Sequence, residues 1–204
     1  MLNIENNVTA VQRRLQQTAR DAGRNPEDIL LLAVSKTRSS TQVSIAQSAG
    51  IHSFGENYLQ EASDKIAKLG CQGLDWHFIG PLQSNKTRQV AELFAWVHTV
   101  DRLKIAQRLS AQRPTTMPAL NICLQINIDN EESKSGFSPE QALSMAATIA
   151  QLPNLRLRGL MAIPRPTANL VEQQQPFAKL AALQKEINSI LDNSEKLDTL
   201  SMGM

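Results

Sequence analysis

Aromatic side chains are scarce in this sequence, 4% in all, with a single tyrosine, Tyr58. Few platforms are left on which the bases of a single-stranded nucleic acid could stack. An excess of one charge is lacking too: 21 basic residues stand against 19 acidic ones, a net charge of +2. No strongly basic face is demanded, so nucleic acid is not suggested as a partner. Cysteine is limited to Cys71 and Cys123, isolated and without metal-ligand spacing. A reduced compartment with no disulfide is the plain reading. No window approaches eighteen consecutive apolar residues, so no membrane span is expected. The opening MLNIENNVTAVQRRLQ has no apolar stretch behind a basic one, and no secretory signal is read from it. The cytoplasm is then the default location.

What is present is the composition of a soluble globular chain: 204 residues, 42% hydrophobic and 20% charged. That length supports one sizeable core, and no Gly/Ser/Pro-rich linker divides it, so one domain over 1–204 is expected. Residues 3–22 read as an amphipathic helix with Ile4, Val8, Val11, Leu15 and Ala19 at helical spacing. Gly23 stops it and RNPED turns the chain. Short apolar runs follow at 29–36, 51–57, 76–81, 96–101, 120–127, 155–163 and 197–204. Helical stretches separate them near 40–49, 58–69, 85–94, 102–112, 138–151 and 170–193. Ser138, Pro139 and Gln141 mark one helix start, as N-cap, first-turn proline and capping-box partner.

Nearly continuous apolar runs suit strands covered on both faces of a parallel sheet. Their alternation with helices means βα units. A doubly wound sheet could hold seven strands; a (β/α)8 TIM barrel needs an eighth. The chain reads as one βα unit short of a barrel, roughly 30 residues by the usual size of such a unit.

Ligands of parallel α/β folds bind at the carboxyl ends of the strands. Those ends hold Lys36, Asn57, Gly80 to Gln83, Asp101 with Arg102, Asn127, Met161 to Pro164, and Ser201 with Gly203. None supplies a carboxylate pair, a His–Asp pair or a Cys–His pair. Glu56 precedes Asn57 and points to the other side of its strand. In ILLLAVSKT the five residues Ile29 to Leu32 and Val34 read as buried, and Lys36 follows them. At the end of a strand a lysine commonly snorkels to water. Alternatively it is a placed amine, its pKa lowered by desolvation in a partly apolar mouth, able to attack carbonyls and form Schiff bases. Spacing alone leaves both readings open. His52, His77 and His98 read as structural histidines. Ser84 reads as a helix cap. The loop Asn130 to Phe137 reads as solvated, with a lid contacted through Lys134 as the functional alternative.

The segments LLAVSKT, FGENYLQEASDKI, WHFIGPLQSNK, VDRLKIAQRL, INIDNEESKSGF, LRGLMAI and LSMGM, in that order, resemble the YggS/PROSC family of pyridoxal 5′-phosphate homeostasis proteins. The resemblance runs from about residue 4 to the carboxyl end. It implies a barrel of the alanine racemase N-terminal-domain type, with Lys36 carrying pyridoxal phosphate as an internal aldimine. It implies that a rigid, buried strand holds that amine at the barrel mouth. Asn57 matches a position beside the cofactor ring. Ser201 matches a phosphate-side serine, with Gly203 as small backbone close by, and Ile79 and Met161 would line the ring pocket. The family continues past SMGM with a Ser-x-Asp stretch, a helix and a last strand carrying Gly-x-Thr and Val-Arg-x-Gly. A chain ending at Met204 would lack the eighth strand and much of the phosphate anchor, and is expected to be a truncated, less stable form.

Racemisation, transamination and decarboxylation on this cofactor each need a placed acid or base on the substrate side. Alanine racemases take a tyrosine from a second, β-rich domain of a partner subunit. No second domain is expected within residues 1–204, and the one tyrosine falls in the helix after Asn57. No catalytic residue is assigned. The favoured expectation is a monomeric carrier that buffers pyridoxal phosphate or delivers it to apoenzymes, without a metal. A weakly active amino-acid racemase and a cofactor-free Schiff-base aldolase are the alternatives.

Overall fold

The structure, a computed structural model, describes residues 4–131 and 134–203. Asn3, at the expected start of the first helix, Glu132 and Ser133 of the polar loop, and Met204, at the expected end of the last strand, lie outside the described residues. Helices and strands alternate through the chain. The helices are α1 (Ile4–Asp21), α2 (Ser40–Ser48), α3 (Leu59–Leu69), α4 (Thr87–Leu93), α5 (Leu103–Gln112), α6 (Pro139–Ala150) and α7 (Leu170–Ile190). The strands are β1 (Ala33–Val34), β2 (Ser53–Glu56), β3 (Asp75–Phe78), β4 (Trp96–Val100), β5 (Leu120–Gln125), β6 (Leu155–Ala162) and β7 (Thr199–Met202). They follow one another through the sheet in chain order. A doubly wound sheet reverses its order at a switch point; the sequential order of these seven strands is that of (β/α) barrels. No helix among the described residues is long and apolar enough to cross a membrane.

The chain packs as two compact units, one up to His77 and one from Phe78 onward. In the first, Phe54 and Trp76 lie with ring centroids 5.9 Å apart, and Val43, Ala62 and Ile66 are buried. The indole of Trp76 donates to Gly70 O at 3.1 Å.

The run from Ile29 departs from expectation. Only Ala33 and Val34 form strand, paired in parallel with Phe54 and Gly55 of β2. Leu30 is 67% exposed and Val34 51%. The reason lies in β1's place at the end of the sheet order, paired with β2 alone. Apolar side chains there have no second neighbouring strand to cover them. The expectation of a buried strand behind Lys36 is therefore corrected.

In the second unit, β4, β5, β6 and β7 pair in parallel. Two bulges interrupt the registers. From Val97 to Val100, β4 takes three steps while β5 takes two, Ile122 to Leu124. From Leu157 to Gly159, β6 takes two steps while β5 takes one, Ile122 to Cys123. The core holds Ile122, Leu124 and Leu160 from the strands, with Ile105, Leu109, Ile149, Leu180 and Ile187 from the helices. Arg113, 5% exposed, turns inward and donates to the carbonyls of Ala91, Phe94 and Pro118. It satisfies carbonyls left open at the end of α4. The Ser138–Gln141 capping box opens α6 as expected. Ser84 does not cap α4, which starts at Thr87; its carbonyl accepts instead from Thr87 Oγ1 and Arg108 Nε.

Candidate functional site

Lys36 occupies a tight turn directly after β1. The Arg38 amide donates to Ser35 O at 3.0 Å, closing the turn over Lys36 and Thr37. Thr37 sits at φ +61. A β-branched residue in the left-handed region is strained, and such strain persists only where neighbours over-determine the backbone. Here they do: the Thr37 amide donates to Glu61 Oε2 at 2.8 Å, from the first turn of α3. Lys36 is exposed, and no described residue forms a hydrogen bond or ion pair with its amine.

Beneath the turn lies a buried charge cluster. Lys65 Nζ reaches Glu56 Oε1 and Ser35 O, each at 2.6 Å, and Ser35 Oγ donates to the same Glu56 oxygen at 2.6 Å. Glu56 is fully buried and Lys65 6% exposed. A carboxylate and an ammonium out of water require one another, and breaking such a pair leaves an uncompensated charge. Glu56 points towards Ser35, the residue preceding Lys36.

Asn57 stands two residues beyond Gly55, and Lys36 two beyond Val34, the last register pair of β1 and β2. The two expected site residues of this unit thus leave adjacent parallel strands at the same level. Asn57 Oδ1 is buried without a hydrogen-bond partner. An orphaned buried acceptor is costly and marks a place for a donor.

The second unit holds the other expected residues. Ser201 and Met161 are register partners across β7 and β6, and Met161 is 4% exposed. Ile79, half-buried, follows β3. Gly203 has φ +151 and open space where a Cβ would stand. Ser201 Oγ lies 2.6 Å from His98 Nδ1. His98 sits in the β4 bulge, and burial pushes its pKa down to about 4, so the ring is neutral near pH 7. Its bulge neighbour Thr99 donates to Gly80 O at 2.6 Å. Asn127 is a loop tether: Nδ2 donates to Glu131 O at 2.7 Å and Oδ1 accepts from Glu131 N at 3.1 Å. Lys134 is ion-paired with Glu131 at 2.6 Å, and Glu131 also meets Arg165 at 2.7 Å, so this loop is fastened by charge. Tyr58 is 55% exposed at the head of α3.

Sequence reasoning passed over Glu61 and Lys65, and it read His98 as a structural histidine with no link to Ser201. The first two carried a signal, an i,i+4 acid–base pair inside FGENYLQEASDKI, which on most helices is only a solvated surface pair. His98 carried none, because the bulge that aims it has no sequence signature.

Residues 4–204 match the family model of the alanine racemase N-terminal domain. A pyridoxal phosphate homeostasis protein of Pseudomonas aeruginosa is 55% identical over 204 residues, covering all of this chain and 86% of the relative. The protein of the same name from Escherichia coli K12 is 48% identical over 207 residues, covering all of this chain and 87% of the relative. Among solved structures, PipY of Synechococcus elongatus with pyridoxal phosphate bound superposes with a TM-score of 0.78 at 32% identity. That match covers 92% of this chain and 87% of PipY.

Proposed function

The chain belongs to the alanine racemase N-terminal domain family, among the pyridoxal phosphate homeostasis proteins, and from that premise we propose that it carries pyridoxal phosphate on Lys36. When bound, this cofactor supplies an aldehyde that condenses with a primary amine and a phosphate that requires hydrogen-bond donors. The residues present suit both ends. Lys36 offers an exposed amine with no hydrogen-bond or ion-pair partner among the described residues, and Asn57 Oδ1 offers a buried acceptor that lacks a donor. Ser201 offers a hydroxyl, and the open space at Gly203 lets a phosphate approach the backbone. With a proton on His98 Nδ1, the ring donates to Ser201 Oγ and leaves the serine O–H to donate onward. Met161 and Ile79 supply apolar ring contact. The chain acts as a single cofactor-binding domain and a monomer in the cytoplasm, and it serves cofactor homeostasis by yielding pyridoxal phosphate to apoenzymes.

The observation that carries this reading is the shared level of Lys36 and Asn57 on adjacent strands, with a free amine on one and an orphaned acceptor on the other. Mixing the chain with pyridoxal phosphate should give a yellow absorption band. Borohydride reduction and peptide mapping should then place the adduct on Lys36, and Lys36→Ala should abolish both. An added apoenzyme should gain activity as the band fades. A colourless wild-type mixture, or an adduct spread over exposed lysines with none enriched at 36, would overturn the proposal.

A carrier is favoured over a racemase because the two carboxylates that hold the Lys36 turn, Glu56 and Glu61, are both engaged with other groups. Racemisation of L-alanine by the loaded chain would reverse that preference.

A further inference from the structure

An exposed lysine after a two-residue strand has little in the strand itself to fix it. Its position is fixed from α3 instead. The peptide before Lys36 is held through its carbonyl, Ser35 O, by Lys65 Nζ at 2.6 Å. The peptide after it is held through its amide, Thr37 N, by Glu61 Oε2 at 2.8 Å. Glu61 and Lys65 are themselves an i,i+4 pair 3.7 Å apart. One turn of helix therefore grips both peptides that flank a single residue. The grip also holds Thr37 in its left-handed conformation, which an unrestrained threonine avoids. Glu61, engaged with the Thr37 amide and with Lys65, leaves the Lys36 amine without a carboxylate partner.

We propose that Glu61 and Lys65 are positioning residues for Lys36, a two-point clamp that sets the turn from which its amine meets a carbonyl. This rests on the reading of Lys36 as the cofactor-bearing residue. Neither clamp residue needs to touch the cofactor. Their effect is on the geometry of encounter, where a displacement of about 1 Å can cost on the order of a hundredfold in rate.

Lys65 is a poor test, because removing it strands the buried Glu56 charge. Glu61, with a side chain 39% exposed, can be changed without that penalty. Two readouts on the full chain separate the clamp from the carrier reading. Hydrogen exchange of the Thr37 amide needs no cofactor: Glu61→Ala should speed it about tenfold or more, and Glu61→Gln should keep the protection, since the amide oxygen accepts the same bond. The rate of borohydride-trapped adduct formation on Lys36 should fall about tenfold in Glu61→Ala, with adduct diverted to other lysines. It should be largely restored in Glu61→Gln, with both melting temperatures near wild type. Unchanged Thr37 exchange in Glu61→Ala would overturn the clamp. So would faster exchange with wild-type labelling of Lys36, or a Glu61→Gln variant as slow as Glu61→Ala. No Lys36 adduct in the wild type would instead defeat the carrier reading, while the exchange data would still decide whether the clamp exists.

Discussion

His98 illustrates what burial does to a single titratable group. The residue is 5% exposed, and its pKa is pushed from 6.5 down to about 4 because charging it would forfeit hydration. In the unfolded chain the same ring takes a proton near pH 6.5. Between about pH 6.5 and 4 the unfolded state therefore binds a proton that the folded state does not. Stability is complete above this window and is lost as pH falls through it, by about 3 kcal/mol in total at about 1.4 kcal/mol per pKa unit. Urea midpoints should drop between pH 7 and pH 5, before most carboxylates titrate. His98→Asn, which cannot titrate, should flatten that slope; an equal slope in the variant would assign the pH dependence elsewhere. Cys123 is subject to the same force with opposite sign, its thiol pushed up to about 12 by burial.

At the scale of elements, the helices were legible because a 3.6-residue apolar period reports directly on which face is covered. Leu180, Leu183 and Ile187, at helical spacing in α7, are buried. Strand β1 was not legible in that way. An apolar run states a preference for burial but not whether anything lies on both sides, and here one side has no paired strand. The motif residues Lys36 and Asn57 could be placed because strand ends set them. Glu61 and Lys65 could not, since they act on main-chain groups of a turn that only the folded chain brings to them. Bulges are equally silent in sequence, and one of them carries a strict requirement. After the β6 bulge, Gly159 pairs with Cys123 on one side and Thr199 on the other. A Cβ there would lie 1.7 Å from Thr199 O, a main-chain atom that cannot rotate away. Gly159→Ala must part β6 from β7 or distort both, at a cost of about 3 kcal/mol or more. A matching drop in the urea midpoint is expected. A wild-type midpoint would show that the two strands separate freely at this point.

Across the whole molecule, each compact unit carries residues with a proposed cofactor role. Lys36 and Asn57 belong to the one ending at His77; Ile79, Met161, Ser201 and Gly203 belong to the one beginning at Phe78. The family match spans both, from residue 4 to 204. Protection of a segment tests the role proposed for the residues in that segment. Ligand bound to the folded chain adds about 2.7 kcal/mol of stability at a hundredfold excess over Kd, and hydrogen exchange shows where that free energy acts. Saturation with pyridoxal phosphate should slow exchange both in the turn at 35–38 and in the segment 199–203. Pyridoxal, which lacks the phosphate, should protect the first and leave the second near its free rate. Protection confined to the Lys36 turn with either compound would remove Ser201 and Gly203 from the phosphate role. Equal protection of 199–203 by both compounds would mean that this segment responds to the ring rather than to the phosphate.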